Sequence, residues 1–113
     1  MTFISHEEYF ASASPEALPL LQAIQAKVEA LLPNAIRCIS YNIPAFKHNR
    51  VFFYFGSFKK HIGVYPPVTQ DKLLIQELAS YRGAKGNLSF LLKAPLPIEL
   101  IGRVALALSR EYE

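Results

Sequence analysis

The side chains of this 113-residue chain that could do chemistry are three histidines, one cysteine, six tyrosines and two groups of cations set among aromatics. His48, His61 and Cys38 are metal-ligand types, but their spacing matches no zinc pattern. The plain reading makes His48 a loop residue, His61 a sheet-face residue and Cys38 a small buried hydrophobe. Arg82-Gly83-Ala84-Lys85-Gly86 combines flexible backbone with two cations, which suits an anion. It lacks the spacing of a nucleotide-binding phosphate loop, and as a helix-ending loop it needs no ligand. Tyr41, His61 and Lys85 are residue types for acid, base and anion holder. No paired carboxylates, triad spacing or cofactor loop accompanies them, so the chain reads as a binding domain and not an enzyme.

Charge order says more than the net value of +3. No Asp or Glu lies between Glu29 and Asp71, where Arg37, Lys47, Arg50, Lys59 and Lys60 fall, nor between Glu77 and Glu99, where Arg82, Lys85 and Lys93 fall. Basic residues next to aromatics, as in Lys47-His48-Asn49-Arg50 before the run Val51 to Phe55, are what single-stranded nucleic-acid binders use. The cations are too few and the strands match no RNA-binding signature, so nucleic acid is the less favoured partner.

Composition sets the frame that positions these residues. With 51% hydrophobic and 19% charged residues, the chain reads as one folded domain spanning 1–113. A single cysteine points away from a disulfide framework. The N-terminus lacks the pattern of a secretory leader, and no apolar run approaches the length of a membrane span, so the expected location is cytoplasmic, away from any membrane.

Ser5 and Glu8 form a capping-box pattern for a helix from near His6 to about Ser14. Ser14-Pro15 is a second start signal, and Leu18, Leu21, Ile24, Val28 and Leu31 mark one face of a helix that Pro33-Asn34 stops. Pro19 moves its beginning toward Leu18. Strands are expected at 35–40, 51–58, 62–65 and 88–92, with a break from Asn42 to Arg50. Thr69 can cap a helix carrying Leu74, Leu78 and Tyr81, and a last helix runs from about Pro97 with Ile101, Val104, Ala105 and Leu108 inward. The order predicts an α+β fold: a mostly antiparallel sheet of four to five strands with N- and C-terminal helices packed on it.

If Lys59-Lys60 closes a two-residue hairpin, Phe58 faces His61, Gly56 faces Gly63 and Tyr54 faces Tyr65. Alternation then sends Phe53, Phe55, Ile62 and Val64 to the core, and Phe52, Tyr54, Phe58, His61 and Tyr65 to the other face. Two opposed glycines leave a depression there, a candidate groove. A bulge at Gly56 would shift that register, and aromatics on both faces equally suit a sheet covered by another helix or a second subunit.

Three ordered motifs, Ile39-Ser40-Tyr41-Asn42-Ile43-Pro44-Ala45-Phe46, Phe58-Lys59-Lys60-His61-Ile62-Gly63-Val64-Tyr65-Pro66, and Lys85-Gly86-Asn87-Leu88-Ser89-Phe90 with Pro95-Leu96-Pro97, resemble the YdhG-like family of small bacterial domains. The resemblance spans nearly the whole chain and implies a frataxin-like fold. One branch of the family is described as an intracellular iron chaperone, so the resemblance alone implies iron handling; no other cofactor is expected. Matching positions are Tyr41, Pro44, Phe46, Lys59, His61, Gly63, Tyr65, Lys85 and Gly86. The chain departs from the family after Phe90, where Leu91-Leu92-Lys93-Ala94 stands in place of Pro-Leu-Asp-Lys.

Together these readings give the ligand-binding candidates Tyr41, Phe46, Tyr54, Lys59, His61, Tyr65, Arg82 and Lys85, with no catalytic and no metal-ligating residue. The expected partner is a small molecule or a protein, bound by a monomer or homodimer. The alternative is an anionic ligand, a phosphorylated metabolite or single-stranded nucleic acid, held on a basic aromatic sheet face.

Overall fold

A computed structural model describes residues 2–113. The sheet is a five-stranded antiparallel meander, β1 (Ile36–Ser40), β2 (Ile43–Lys47), β3 (Val51–Ser57), β4 (His61–Tyr65) and β5 (Leu88–Leu91), in spatial order β1-β2-β3-β4-β5. Helices α1 (His6–Ser12) and α2 (Leu18–Leu31) precede it. A short α3 (Lys72–Glu77), followed by a single 3₁₀ turn (Ala79–Tyr81), joins β4 to β5, and α4 (Ile98–Glu111) closes the chain.

The helix ends follow side-chain chemistry. The Ser5 hydroxyl accepts from the Glu8 amide at 3.1 Å and starts α1. Ser14 caps a turn, accepting from Ala17 N–H at 3.2 Å, and α2 begins at Leu18. Pro19 therefore stands in the first turn, where a missing donor leaves no bond unmade. The cap of α3 is Asp71, which accepts from Leu74 N–H at 3.0 Å, and not Thr69. Thr69 instead binds the Glu111 carboxylate through its amide and hydroxyl, tying this loop to the end of α4.

The expected break at 42–50 contains a strand. Tyr41 and Asn42, at φ 52° and 61°, are the two residues of a β1–β2 hairpin turn in which Ser40 pairs with Ile43. Pro44 is accommodated opposite Ile39. The β3–β4 register is the one the hairpin argument requires, with Gly56 opposite Gly63 and Tyr54 opposite Tyr65, and Phe58 N–H donates to His61 C=O at 2.8 Å.

Phe53, Phe55, Ile62 and Val64 are fully buried with Leu21, Ile24 and Val28 of α2 and Ile101, Val104, Ala105 and Leu108 of α4. Phe52 departs from the expected alternation. A register shift between Phe46 and Lys47 puts Val51 opposite Lys47 and leaves Phe52 as the extra residue, buried in the core cluster beneath a stacked His48 ring at 4.9 Å.

Part of the charge segregation is consumed between layers. Arg37 on β1 bridges Glu7 of α1 at 3.0 Å and Glu29 of α2 at 2.6 Å. Arg37 holds the Glu29 carboxyl below its usual range by hydrogen bonding. Buried His6 fastens α1 to the sheet. Its Nε2 lies 3.1 Å from Cys38 C=O and 3.0 Å from Ala45 C=O, and both can only accept, so Nε2 carries the proton. Nδ1 then accepts from the Gln25 amide at 3.0 Å. Burial holds this imidazole below the ordinary histidine pKa.

Candidate functional site

On the sheet face away from α2 and α4 a groove of about 540 Å³ is open to solvent, within the usual size of a small-molecule site. Its walls come from five parts of the chain. Tyr41 and Ile43 are supplied by the β1–β2 hairpin, Val51, Tyr54 and Phe58 by β3 and the residue after it, Tyr65, Pro66 and Pro67 by the end of β4, and Asn87 and Tyr112 by the segments before β5 and after α4. The Tyr65–Pro66 peptide is cis.

Each wall has a local cause. Tyr41 is 87% exposed and held at a φ that non-glycine residues seldom adopt, which points its ring toward Tyr54 at 5.8 Å between centroids. The bulge delivers Val51 to this face. Arg50 donates from Nε to Tyr112 C=O at 3.2 Å and lies over the Tyr112 ring at 5.3 Å, fixing that ring at the rim. Phe58 is 43% exposed and stacks on His61 at 5.1 Å.

The depression expected over the glycine pair is occupied. A side chain on Gly63 would lie 2.8 Å from Tyr65 Cζ and 3.0 Å from Phe58, and one on Gly56 would lie 3.2 Å from the Tyr9 hydroxyl. Tyr65 thus lies down over Gly63, and burial, with the nearby Tyr9, raises its phenol pKa above the ordinary value. The open volume is displaced toward Tyr41, Tyr54 and the two prolines.

Of the expected ligand-binding residues, Tyr41, Tyr54 and Tyr65 come together here, and His61 backs Phe58. Phe46 does not join them. It is fully buried, stacked on Phe55 at 5.9 Å, because its pairing with Phe53 turns it toward the helices. Lys59 lies in a separate hollow with Lys60, Lys93, Leu91, Leu92 and Glu16. Basic and aromatic residues therefore form two neighbouring surfaces instead of one basic aromatic face, and the groove lining holds no charged side chain. Arg82 and Lys85 lie in the loop before Asn87. Lys85 is exposed, whereas the Arg82 guanidinium packs beside Gly86 and Pro67.

Ile43, Val51, Pro66, Pro67, Asn87 and Tyr112 were not expected at the site. Ile43, Pro66 and Asn87 stand inside the motifs that carry the resemblance, a signal available beforehand. Val51 depends on the bulge and Tyr112 on the docking of α4, and neither leaves a local pattern.

Among the described residues no group of three or more His, Cys, Asp and Glu side chains gathers where it could hold a metal ion. Burial pushes the Cys38 thiol pKa up, the wrong direction for a thiolate ligand or nucleophile. The iron expected from the resemblance therefore finds no donor set here, since hard cations need clustered oxygen ligands. No helix among the described residues is long and apolar enough to cross a membrane.

The sequence model of a family described as a domain of unknown function, DUF5655, matches residues 6–88, from the start of α1 to the start of β5. The chain belongs to this family. No curated protein matches it. Among solved structures, the 1.75 Å crystal structure of a DUF1801 family protein, YdhG, from Bacillus subtilis superposes with a TM-score of 0.73 at 22% identity, covering 90% of this chain and 86% of that one. At that identity the likeness establishes a shared fold. The match of residues 6–88 takes in Tyr41, Tyr54, Tyr65 and Asn87, whereas Tyr112 lies beyond it.

Proposed function

We propose that this DUF5655 domain is a non-enzymatic binding module whose ligand is a small molecule with a flat ring, taken up in the tyrosine-lined groove. The supporting observation is Tyr41, an exposed aromatic residue kept in the left-handed region beside Tyr54 at the mouth of an open cavity. Strain of that kind is retained where the position is used. Rings presented face or edge to a planar guest contribute about 0.5–1.5 kcal/mol per pair beyond area burial. Tyrosine hydroxyls and the Asn87 amide supply the few polar groups that orient a guest. Iron handling has no supporting side-chain cluster among the described residues and is not part of this reading.

The test is titration of isotope-labelled protein with naphthamide, an uncharged two-ring probe, followed by NMR of the tyrosine rings. The expected result is a saturable shift of the Tyr54 and Tyr65 resonances, and Tyr54→Ala should remove the shift of Tyr65. Absence of any shift at millimolar probe, or shifts confined to the Lys59–Lys93 hollow, would overturn the reading.

A further inference from the structure

Two cations pack against the groove wall from behind, Arg50 against Tyr112 and Arg82 at the opposite wall beside Pro67. A side chain built on Gly86 would meet Arg82 Nη2 at 2.9 Å and Pro67 Cβ at 3.2 Å, so guanidinium, glycine and proline converge on one point. Gly86 is at φ +86°, and its lack of a side chain is what makes room for the guanidinium. Pro67 and Asn87, the residues flanking this point, both line the groove.

The guanidinium is incompletely satisfied. Arg82 Nη1 is buried and has no hydrogen-bond partner. Arginine stays protonated at any physiological pH, so this nitrogen cannot relieve the deficit by losing its charge. The loop's own backbone bonds, Gly83 N–H to Asn87 C=O at 2.8 Å and Gly86 N–H to Gly83 C=O at 3.0 Å, hold its shape without involving the guanidinium. Buried charged donors are normally paired, and this guanidinium lies directly behind Pro67, a residue of the groove wall. Arg82 as a whole remains partly exposed, so its guanidinium is not sealed inside the core. Lys85, exposed in the same loop, adds positive potential.

We propose that the ligand of the groove carries an oxyanion, a carboxylate or phosphate, at the end bounded by Pro67 and Asn87, where it accepts hydrogen bonds from Arg82. The inference rests on the groove being a binding site and goes further by fixing the ligand's charge and its direction: flat ring toward Tyr41 and Tyr54, anion toward Arg82. The planar guanidinium fork matches two oxygens of such a group at once.

Paired titrations with naphthoate and uncharged naphthamide separate the two readings. Wild-type protein is expected to bind naphthoate about tenfold more tightly, the difference a charge-assisted hydrogen bond supplies. Arg82→Gln should abolish that preference, bringing the two probes to equal affinity, and Arg82→Lys should keep part of it. If the variants fail to fold, wild-type protein still decides, because naphthoate affinity must weaken with added salt while naphthamide affinity stays flat. Equal binding of the two probes to the wild type, or a naphthoate preference that survives Arg82→Gln, overturns the anion inference and leaves the groove standing. Failure of both probes to move the Tyr54 and Tyr65 resonances removes the groove itself.

Discussion

The Tyr9 hydroxyl accepts a hydrogen bond from Ser57 N–H at 3.0 Å and lies 3.3 Å from Ser57 C=O, to which it donates. One phenol thus serves both backbone groups of the last β3 residue, beyond the point where β2 begins at Ile43 and can no longer pair with it. Helix α1 is in this way attached to the sheet at three places, through Tyr9 at Ser57, through His6 at Cys38 and Ala45, and through Glu7 at Arg37.

Tyr9→Phe keeps the ring and its edge contact with Phe3 at 5.0 Å but strips both bonds from Ser57. Leaving two partly buried backbone groups unmatched should lower stability by about 1–3 kcal/mol. Urea unfolding of the two proteins, compared at the same slope, measures it. An unchanged midpoint would mean that water replaces the phenol without loss.

His6 gives the fold a pH dependence whose sign follows from its lowered pKa. Below 6.5 the unfolded chain takes up a proton that the folded chain resists, so His6 contributes stability present above 6.5 and lost as pH falls below it. The midpoint of denaturant unfolding should drop between pH 7.5 and pH 5, a window above the range in which Glu29 protonates. An NMR titration placing the His6 midpoint above 6.5 in the folded protein would reverse this sign.

Tyr41→Asn places a residue that tolerates the left-handed region in the first position of the β1–β2 turn. It should stabilise the protein by about 1 kcal/mol. It should also weaken naphthamide binding by about two- to tenfold, the contribution of one aromatic contact. A variant that gains stability without losing affinity would remove Tyr41 from the site.

Gly63→Ala inserts a methyl group where Tyr65 and Phe58 already lie within 3.0 Å. The ring of Tyr65 must lift, at about 1–3 kcal/mol of overpacking, and the groove changes shape. The expected signature is a displaced Tyr65 ring resonance with reduced probe affinity. Unaltered Tyr65 shifts would show that the methyl group finds room elsewhere.

Legibility from the sequence followed locality. The β3–β4 pairing could be read because a two-residue loop and a period of two determine each other, and Gly56 opposite Gly63 follows from counting. The helix faces of α2 and α4 were equally plain, since spacings of three and four need no distant partner. Strand β2 was hidden because Asn42 and Pro44 are individually break signals. Only the pairing of Ile39 with Pro44 shows that one of them lies within a strand. Phe46 carried no mark of its facing, and Phe52 and Val51 exchanged roles through a bulge that depends on the neighbouring strand. The groove was therefore half visible: its tyrosines on β3 and β4 were legible, but the separation of Lys59 from them, and the arrival of Tyr112, are products of tertiary docking.

The chain has no tryptophan, and four of its six tyrosines, Tyr41, Tyr54, Tyr65 and Tyr112, stand around the groove. Its ultraviolet emission is in consequence dominated by one small region. A compound that settles among those rings quenches or shifts the signal without any dye or tag, so the protein is its own sensor for surveying metabolite extracts.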